Sequence, residues 1–444
     1  MTNLIGLTEL ESLFSQVKER VGNMLDQLPD PTNLDPKIKS EKGVGKYCSL
    51  RAFPVYPKGG KNWTLVDQTN WMFGNFAGIL WLITFLSEYM DGHGEVRNNW
   101  EEKASKWTEL LEKKCKDEGK SCDPAKTQTI LDTSVSGQVY RSYGLGLRIG
   151  KFIDRPKYIN IIKNAGLRYL KKFDQDKGYF KSGLSNYKNK HLIFPVLIDQ
   201  LLALEFAAWM DSMTADAGPS TMALTHAQKT IRSHLGMRCG GQASYHLVDI
   251  GDGNGRVYGD QGYSADSAWS RGQAWVIEGL SSLYGSLSSD KKPLKFPDVI
   301  DKTVEFLKSK TSDFKQIPKW DVCLPPHPAQ AYSPWDYVDT SAAAAVAAGL
   351  FTLAFATGES KHQSDASDIF QTLKEDYFPG SEKGLLDHGC YINPLCEQVR
   401  NTKRKGEAAD SPLMFGDFYF MKCLVWQYCL LTKIKNPFGY HEKN

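Results

Sequence analysis

The feature that most constrains this chain is a repeated pairing of helical segments, an apolar one followed by a charged one. Trp71–Tyr89 precedes Trp100–Lys114, and Ile130–Gly150 precedes Tyr158–Phe173. Phe194–Asp211 then pairs with Ala223–Leu235, Ala265–Leu287 with Val299–Ser309, and Thr340–Ala356 with Ser364–Tyr377. Glu9–Leu28 opens the chain as an amphipathic segment, and Pro412–Thr432 closes it. A helix that is apolar all round must be buried, and an amphipathic one can cover it. About twelve helices, paired about six times, imply an inner and an outer ring. The expected fold is therefore all-α, an (α/α)6 barrel of six helical hairpins forming a single domain over 1–444. The pairs have no fixed period, which argues against a solenoid. Strand-like alternation is sparse, with Ala243–Asp249 and short pieces near Cys390 as candidates. Long loops near Pro29–Asn70, Cys239–Tyr263, Thr311–Tyr337 and Pro379–Ser411 are expected to gather at one end.

Several classes of function are disfavoured. The net charge of +3 is small for 444 residues and no long basic tract exists, so nucleic acid is not an expected partner. Met1 to Phe14 lacks the apolar stretch of a secretory signal. The apolar runs near Ile79–Phe85 and Ala342–Phe355 fall short of a membrane span. Nine Cys without CxxC spacing read as reduced thiols, and a cytoplasmic location is the expectation. Nine His without HxH or HExxH spacing give no support to a metal, and no cofactor is expected. The glycines Gly144, Gly146 and Gly150 lack a preceding strand and read as helix packing rather than a dinucleotide loop. Aromatics make up 12%, with 11 Trp and 20 Tyr, which suits stacking surfaces.

The densest chemistry lies in Gln261-Gly262-Tyr263-Ser264-Ala265-Asp266-Ser267-Ala268-Trp269-Ser270-Arg271-Gly272-Gln273-Ala274-Trp275. Arg271 and Trp275 stand four positions apart, so on a helix both project from one face. A fixed cation beside an aromatic plane suits a sugar ring carrying a carboxylate. The same pair suits an Arg packed over a Trp as core filler. The polar neighbours Gln261, Tyr263, Ser264 and Ser270 favour a site.

Two carboxylates stand out. Read as a helix, the run Phe194–Leu204 puts Val196, Leu202, Ala203 and Phe206 on the face of Asp199. Pro195 would suit its first turn. An acid in such a stripe should be buried with a raised pKa. Asp132, in Thr129-Ile130-Leu131-Asp132-Thr133-Ser134, sits among hydroxyls early in a helix and should stay ionised. Each could equally be a satisfied capping Asp.

The segment Gln261–Trp275 resembles the Gln-Gly-Tyr-x-x-Asp-Ser-x-Trp-x-Arg-Gly-Gln-Ala-Trp pattern of the unsaturated glucuronyl hydrolases, glycoside hydrolase family 88. Trp71–Trp81, Phe194–Leu204, Asp339-Thr340-Ser341-Ala342-Ala343 and Gly416-Asp417-Phe418-Tyr419-Phe420 are similar to other landmarks of that family, in its order. The resemblance implies an (α/α)6 barrel with Asp132 and Asp199 as catalytic residues. It also implies that Trp71, His246, Gln261, Arg271 and Trp275 contact substrate. The implied activity is hydrolysis of unsaturated uronyl oligosaccharides, small-molecule substrates in carbohydrate metabolism. Protonating C4 of the 4,5-unsaturated uronate and adding water at C5 would give a hemiketal that opens the ring and releases the aglycone.

The chain also departs from that pattern. Leu131 stands where the family has His, Ser134-Val135 replace Gly-Phe, and Asp260 replaces another His. The pocket Trp upstream of the second Asp is missing from Lys181–Lys190. These positions shape the subsite floor, which leaves room for a repurposed barrel. Such a barrel would act as lyase, hydratase or cyclase on a non-carbohydrate enol ether or polyene. The intact Ser270–Trp275 run makes the rhamnogalacturonyl hydrolases a weaker match.

Overall fold

A computed structural model describes residues 4–28, 53–58, 62–66, 74–92, 94–110, 138–182, 184, 186–187, 190–214, 218–251, 253, 255–259, 261–326, 334–378, 383–395 and 409–442. Asp132, Trp71, Leu131, Ser134, Val135 and Asp260 lie outside these residues.

Twelve α-helices occur among the described residues. They are α1 Leu7–Gln27, α2 Gly74–Met90, α3 Gly94–Glu109, α4 Leu145–Ile149, α5 Arg155–Leu170 and α6 Leu204–Thr214. The rest are α7 Gly218–His234, α8 Ser270–Ser286, α9 Lys295–Lys310, α10 Thr340–Thr357, α11 Ser360–Thr372 and α12 Met414–Thr432. A π-helical turn, Tyr140–Gly144, leads into α4.

The even-numbered helices form the inner ring. α2 packs on α4 and on α12, α12 on α10, α10 on α8, and α8 on α6. Tyr140 completes the circle by meeting Phe206 and Trp209 of α6 edge-on. Helix α10, of which all but Phe355 is buried, is apolar around its circumference, as an innermost element must be. It is also long and apolar enough to cross a membrane, contrary to the sequence expectation, but 94% of that stretch is buried within the barrel. The odd-numbered helices are amphipathic and lie outside, with α3, α5, α7, α9 and α11 packed on their neighbours in the chain. The first helix takes the remaining outer place against the last inner one, α12. The fold is the (α/α)6 barrel, with a continuous core running from Ile5 to Tyr440.

Two glycines show how closely the inner helices approach. A Cβ on Gly349 of α10 would lie 2.8 Å from Glu278 Cα on α8, and one on Gly416 of α12 would lie 2.9 Å from Ser341 Cβ on α10. Any side chain there would force the ring apart.

Two expected helices are corrected. Phe194–Asp211 is not one helix, because Pro195–Leu197 is a strand, Ile198–Ala203 a 3-10 helix, and α6 begins only at Leu204. The strand forms because Leu247–Asp249 lies beside it as an antiparallel partner, with Arg256–Tyr258 on the far side. The helix expected from Ala265 starts at Ser270, since residues up to Trp269 form turns. The reduced-thiol expectation also fails, because Cys239 and Cys323 form a disulfide. That bond fits an oxidising compartment better than a reducing one. Cys390, Cys423 and Cys429 are buried thiols.

Candidate active site

Within each hairpin the inner helices start, and the outer helices end, at the same mouth of the barrel. Asp199 lies just ahead of α6, Ser270 opens α8, Asp339 caps α10 and Met414 begins α12. Converging helix N-termini present their positive dipole ends to that mouth, which favours an anionic ligand.

Antiparallel register sets Asp199 beside His246. Leu197 is paired with Leu247, and the Ile198 N–H donates to the His246 carbonyl at 3.0 Å. That register puts Ile198 opposite His246, and the 3-10 turn that starts at Ile198 brings the next side chain, Asp199, to the imidazole. His246 Nε2 lies 3.5 Å from Asp199 Oδ2. Asp199 Oδ2, His246 Nδ1 and Gln261 Oε1 are buried atoms with no hydrogen-bond partner among the described residues. Three such atoms at one mouth, a carboxylate, an imidazole and an amide oxygen, are suited to hydrogen-bond a polar ligand. The expectation that Asp199 is a buried acid in an apolar stripe is corrected. Its side chain is 39% exposed, because a strand end and a 3-10 turn replace the helix on which the stripe was drawn.

The floor beneath Asp199 is rigid. Gln200 accepts from the Leu197 N–H at 2.8 Å and donates to the Phe180 carbonyl at 2.7 Å. His234 Nε2 lies 2.9 Å from the Val196 carbonyl oxygen, and its Nδ1 lies 2.8 Å from Ser233 Oγ. Burial lowers His234 to about 4 and His226 to about 3. Both rings are therefore neutral near pH 7, and His234 donates its Nε2–H to the strand that leads to Asp199.

The Gly262–Trp275 segment folds around Asp321. That carboxylate accepts from the Tyr263 N–H at 2.9 Å, Ser267 Oγ at 2.6 Å and the Cys323 N–H at 2.8 Å. Burial raises its pKa, and these three donors oppose the rise. Asn393 Nδ2 donates to the Gly262 carbonyl at 2.7 Å, and the Cys239–Cys323 bond ties the loop of Gly262 to a third one. Three of the four long loops thus meet at this mouth. The role of Asp321 was invisible in sequence, where it is a lone acid in an unremarked loop.

Arg271 is placed differently from its expected role. Its guanidinium is buried, with Nη1 donating to Asp339 Oδ2 at 2.7 Å and the Cys390 carbonyl at 2.5 Å, and Nη2 to the Tyr391 carbonyl at 2.7 Å. The group lies 4.6 Å from the Trp269 ring centre and 5.1 Å from that of Phe415. Three of its five N–H groups are held by the protein, so it braces the 390–391 segment against α10. The packing alternative describes it, with Trp269 rather than Trp275 as the aromatic plane. Trp275 is 1% exposed and packs on Phe415 and Tyr419, below the mouth. Trp269 also meets His246 edge-on at 5.1 Å, so contacts run from Asp199 through His246 and Trp269 to Arg271 and Asp339.

No family model matches the chain. Its sequence is 25% identical over 415 residues to an unsaturated glucuronyl hydrolase of Formosa agariphila, covering 89% of this chain and 93% of that one. It is 24% identical over 394 residues to an unsaturated glucuronyl hydrolase of Bacillus sp. strain GL1, covering 84% and 90%. An unsaturated chondroitin disaccharide hydrolase of Streptococcus pyogenes is 27% identical over 272 residues, 56% of this chain and 59% of that one. Among solved structures, an unsaturated glucuronyl hydrolase specific for heparin superposes with a TM-score of 0.71 at 24% identity, over 97% of this chain and 99% of the other. The Bacillus sp. GL1 enzyme gives 0.65 at 22% identity, over 87% and 93%.

Proposed function

We propose that this chain, a relative of the unsaturated glucuronyl hydrolases along nearly its whole length, releases the terminal 4,5-unsaturated uronate from an oligosaccharide. The observation that carries the reading is the Asp199 carboxylate facing His246 at 3.5 Å, with an unpartnered oxygen, at the mouth where the helix N-termini converge. Protonated Asp199 gives its proton to C4, and the resulting carboxylate takes one from the water that adds to C5. The hemiketal so formed opens the ring, and the aglycone leaves C1 without a glycosyl-enzyme intermediate. His246 and Gln261 would orient the sugar, and Asp132 and Trp71 complete the proposed site. A gap of 3.5 Å leaves room for the Asp199–His246 contact to tighten when substrate binds.

The named relatives favour this reading over a barrel repurposed for a polyene. We place the whole chain in one catalytic domain, acting in carbohydrate breakdown. The test is to follow loss of the conjugated-enoate absorbance with unsaturated disaccharides, for the natural chain and for Asp199→Asn. The amide keeps shape but has no transferable proton, so turnover should fall about 10²–10⁴-fold with the fold intact by circular dichroism. A folded Asp199→Asn protein with undiminished turnover would remove Asp199 from the mechanism.

A further inference from the structure

Asp199 and His246 must stand at a set separation, yet they come from two different arms of the chain. Asp199 follows the strand Pro195–Leu197, and His246 precedes its partner Leu247–Asp249. One residue, His234, grips both arms. It is the last residue of α7 and is fully buried. Its Nε2 lies 2.9 Å from the Val196 carbonyl oxygen, three residues before Asp199. Its own carbonyl accepts from the Tyr245 N–H at 2.8 Å, one residue before His246.

The ring is held in one orientation by a directional chain of hydrogen bonds. A carbonyl oxygen only accepts, so Nε2 carries the proton and Nδ1 of the neutral ring is left to accept. Ser233 Oγ lies 2.8 Å from Nδ1, and the Tyr179 hydroxyl donates to Ser233 Oγ at 3.2 Å. The Thr230 carbonyl, 3.5 Å from Ser233 Oγ, is too distant to compete for that hydroxyl. Protons therefore point one way, from Tyr179 to Ser233, from Ser233 to His234 and from His234 to Val196. Burial holds the ring at about 4, with His246 pulling it down and Asp199 up, so both members of the pair bear on it.

A buried histidine can be no more than core filling with both nitrogens satisfied. The last carbonyls of a helix need donors in any case, which accounts for the bond from Tyr245. It does not account for the ring, since Leu would fill the space with no polar group to satisfy. Here a tyrosine, a serine and a histidine are lined up on one carbonyl of the arm that carries Asp199. Gln200 holds the same arm at the Leu197 N–H. Loss of the His234 ring should therefore shift Asp199 without undoing the strand.

We infer that His234 is a positioning residue for the hydrolysis, holding the Asp199 arm in place against the His246 arm. It acts through the Val196 carbonyl and sets where the Asp199 proton is delivered. The inference rests on the hydrolase reading for its effect on turnover, though not for the geometry that His234 maintains.

The test compares the full chain with His234→Leu, which removes the donor, and His234→Gln, which keeps an N–H near the place of Nε2. On unsaturated disaccharides, kcat of His234→Leu should fall about tenfold, because a small misplacement of the proton donor slows its transfer. KM should change less than about twofold, since the sugar contacts proposed for His246 and Gln261 remain. His234→Gln should recover most of kcat. Urea unfolding gives the folded fraction at the assay temperature, so that lost protein is not counted as lost turnover. A natural kcat in His234→Leu, or a loss that His234→Gln does not recover, would overturn the inference.

A second measurement needs no turnover. In protein labelled with nitrogen-15 at histidine, the ring resonances of His246 are assigned through His246→Gln. They should be displaced by Asp199→Asn and by His234→Leu, and stay near their natural positions in His234→Gln. Undisplaced His246 resonances in folded His234→Leu would refute the positioning role. Should His234→Leu not fold, Ser233→Ala replaces it, because it removes the donor to Nδ1. A lower kcat at constant KM with displaced His246 resonances then supports the inference, and no change in either refutes it. If the natural chain hydrolyses none of the disaccharides, the hydrolase reading fails, and the His246 resonances still decide the role of His234.

Discussion

The Ile198 N–H donates to the His246 carbonyl oxygen, and this backbone bond brings the Asp199 carboxyl to the His246 imidazole. The pair is thus a product of strand pairing and of the 3-10 turn that follows it, rather than of α-helix spacing. A shift of register by one residue would turn one of the two side chains away from the mouth.

His246→Gln tests the pair directly. The amide keeps a hydrogen-bonding tip but cannot carry charge, so turnover on unsaturated disaccharides should fall about 10–100-fold with little change in the unfolding midpoint. A variant as active as the natural chain would leave Asp199 working alone.

Arg271 leads to a prediction about stability. Arg271→Ala removes the cation from the buried Asp339 carboxylate and a donor from two carbonyls, a loss of about 3–5 kcal/mol measurable by urea unfolding. Arg271→Lys should recover only part of this, because one ammonium cannot reproduce the fork. If Arg271→Lys instead raised KM with unchanged stability, the guanidinium would be returned to the substrate.

Glycine substitutions separate close packing from mere helix content. Gly349→Ala should cost about 1–3 kcal/mol, since its Cβ would meet Glu278 backbone. Gly22→Ala, on α1 where nothing lies within 4 Å, should stabilise by about 0.5–1 kcal/mol. Unfolding midpoints of the two variants should therefore move in opposite directions.

The buried histidines predict acid sensitivity. Folded His226 and His234 titrate at about 3 and about 4, against an ordinary 6.5. Their folded pKa values lie below the unfolded ones, so between pH 6.5 and 4 the unfolded chain binds more protons. Stability should fall as pH falls through that window, by about 1.4 kcal/mol per pH unit for each histidine. His388 works the other way, because its hydrogen bond to Asp410 raises its pKa. Its contribution is complete below 6.5 and is lost as pH rises through the folded value. Urea unfolding across pH, for the natural chain and for His226→Gln with His234→Gln, should show a shallower acid slope in the variant.

The fold was legible in the sequence wherever burial alone decides structure. The start of α10 falls at Thr340 as expected, because Asp339 caps a run with no polar face. The site was less legible, since its geometry depends on partners far along the chain. Nothing near Pro195 announces Leu247–Asp249, without which Phe194–Leu204 reads as a helix. Nothing near Arg271 announces that Asp339 and the carbonyls of Cys390 and Tyr391 will take three of its donors. Cys239 and Cys323 lie 84 residues apart, so their bond has no local signature.

The position of α1 has a consequence for synthesis. The face of α1 carrying Leu10, Phe14, Val17 and Val21 is covered against α12, and Arg20 lies 3.7 Å from the Phe378 ring centre. Helix α1 must therefore wait for α12, which is made much later. Throughout translation its apolar stripe is an unmet docking site, open to chaperones and to other nascent chains. Linking α12 directly to α1 and cutting the chain between α7 and α8 would make the two neighbours in sequence, turning a distant meeting into a local one.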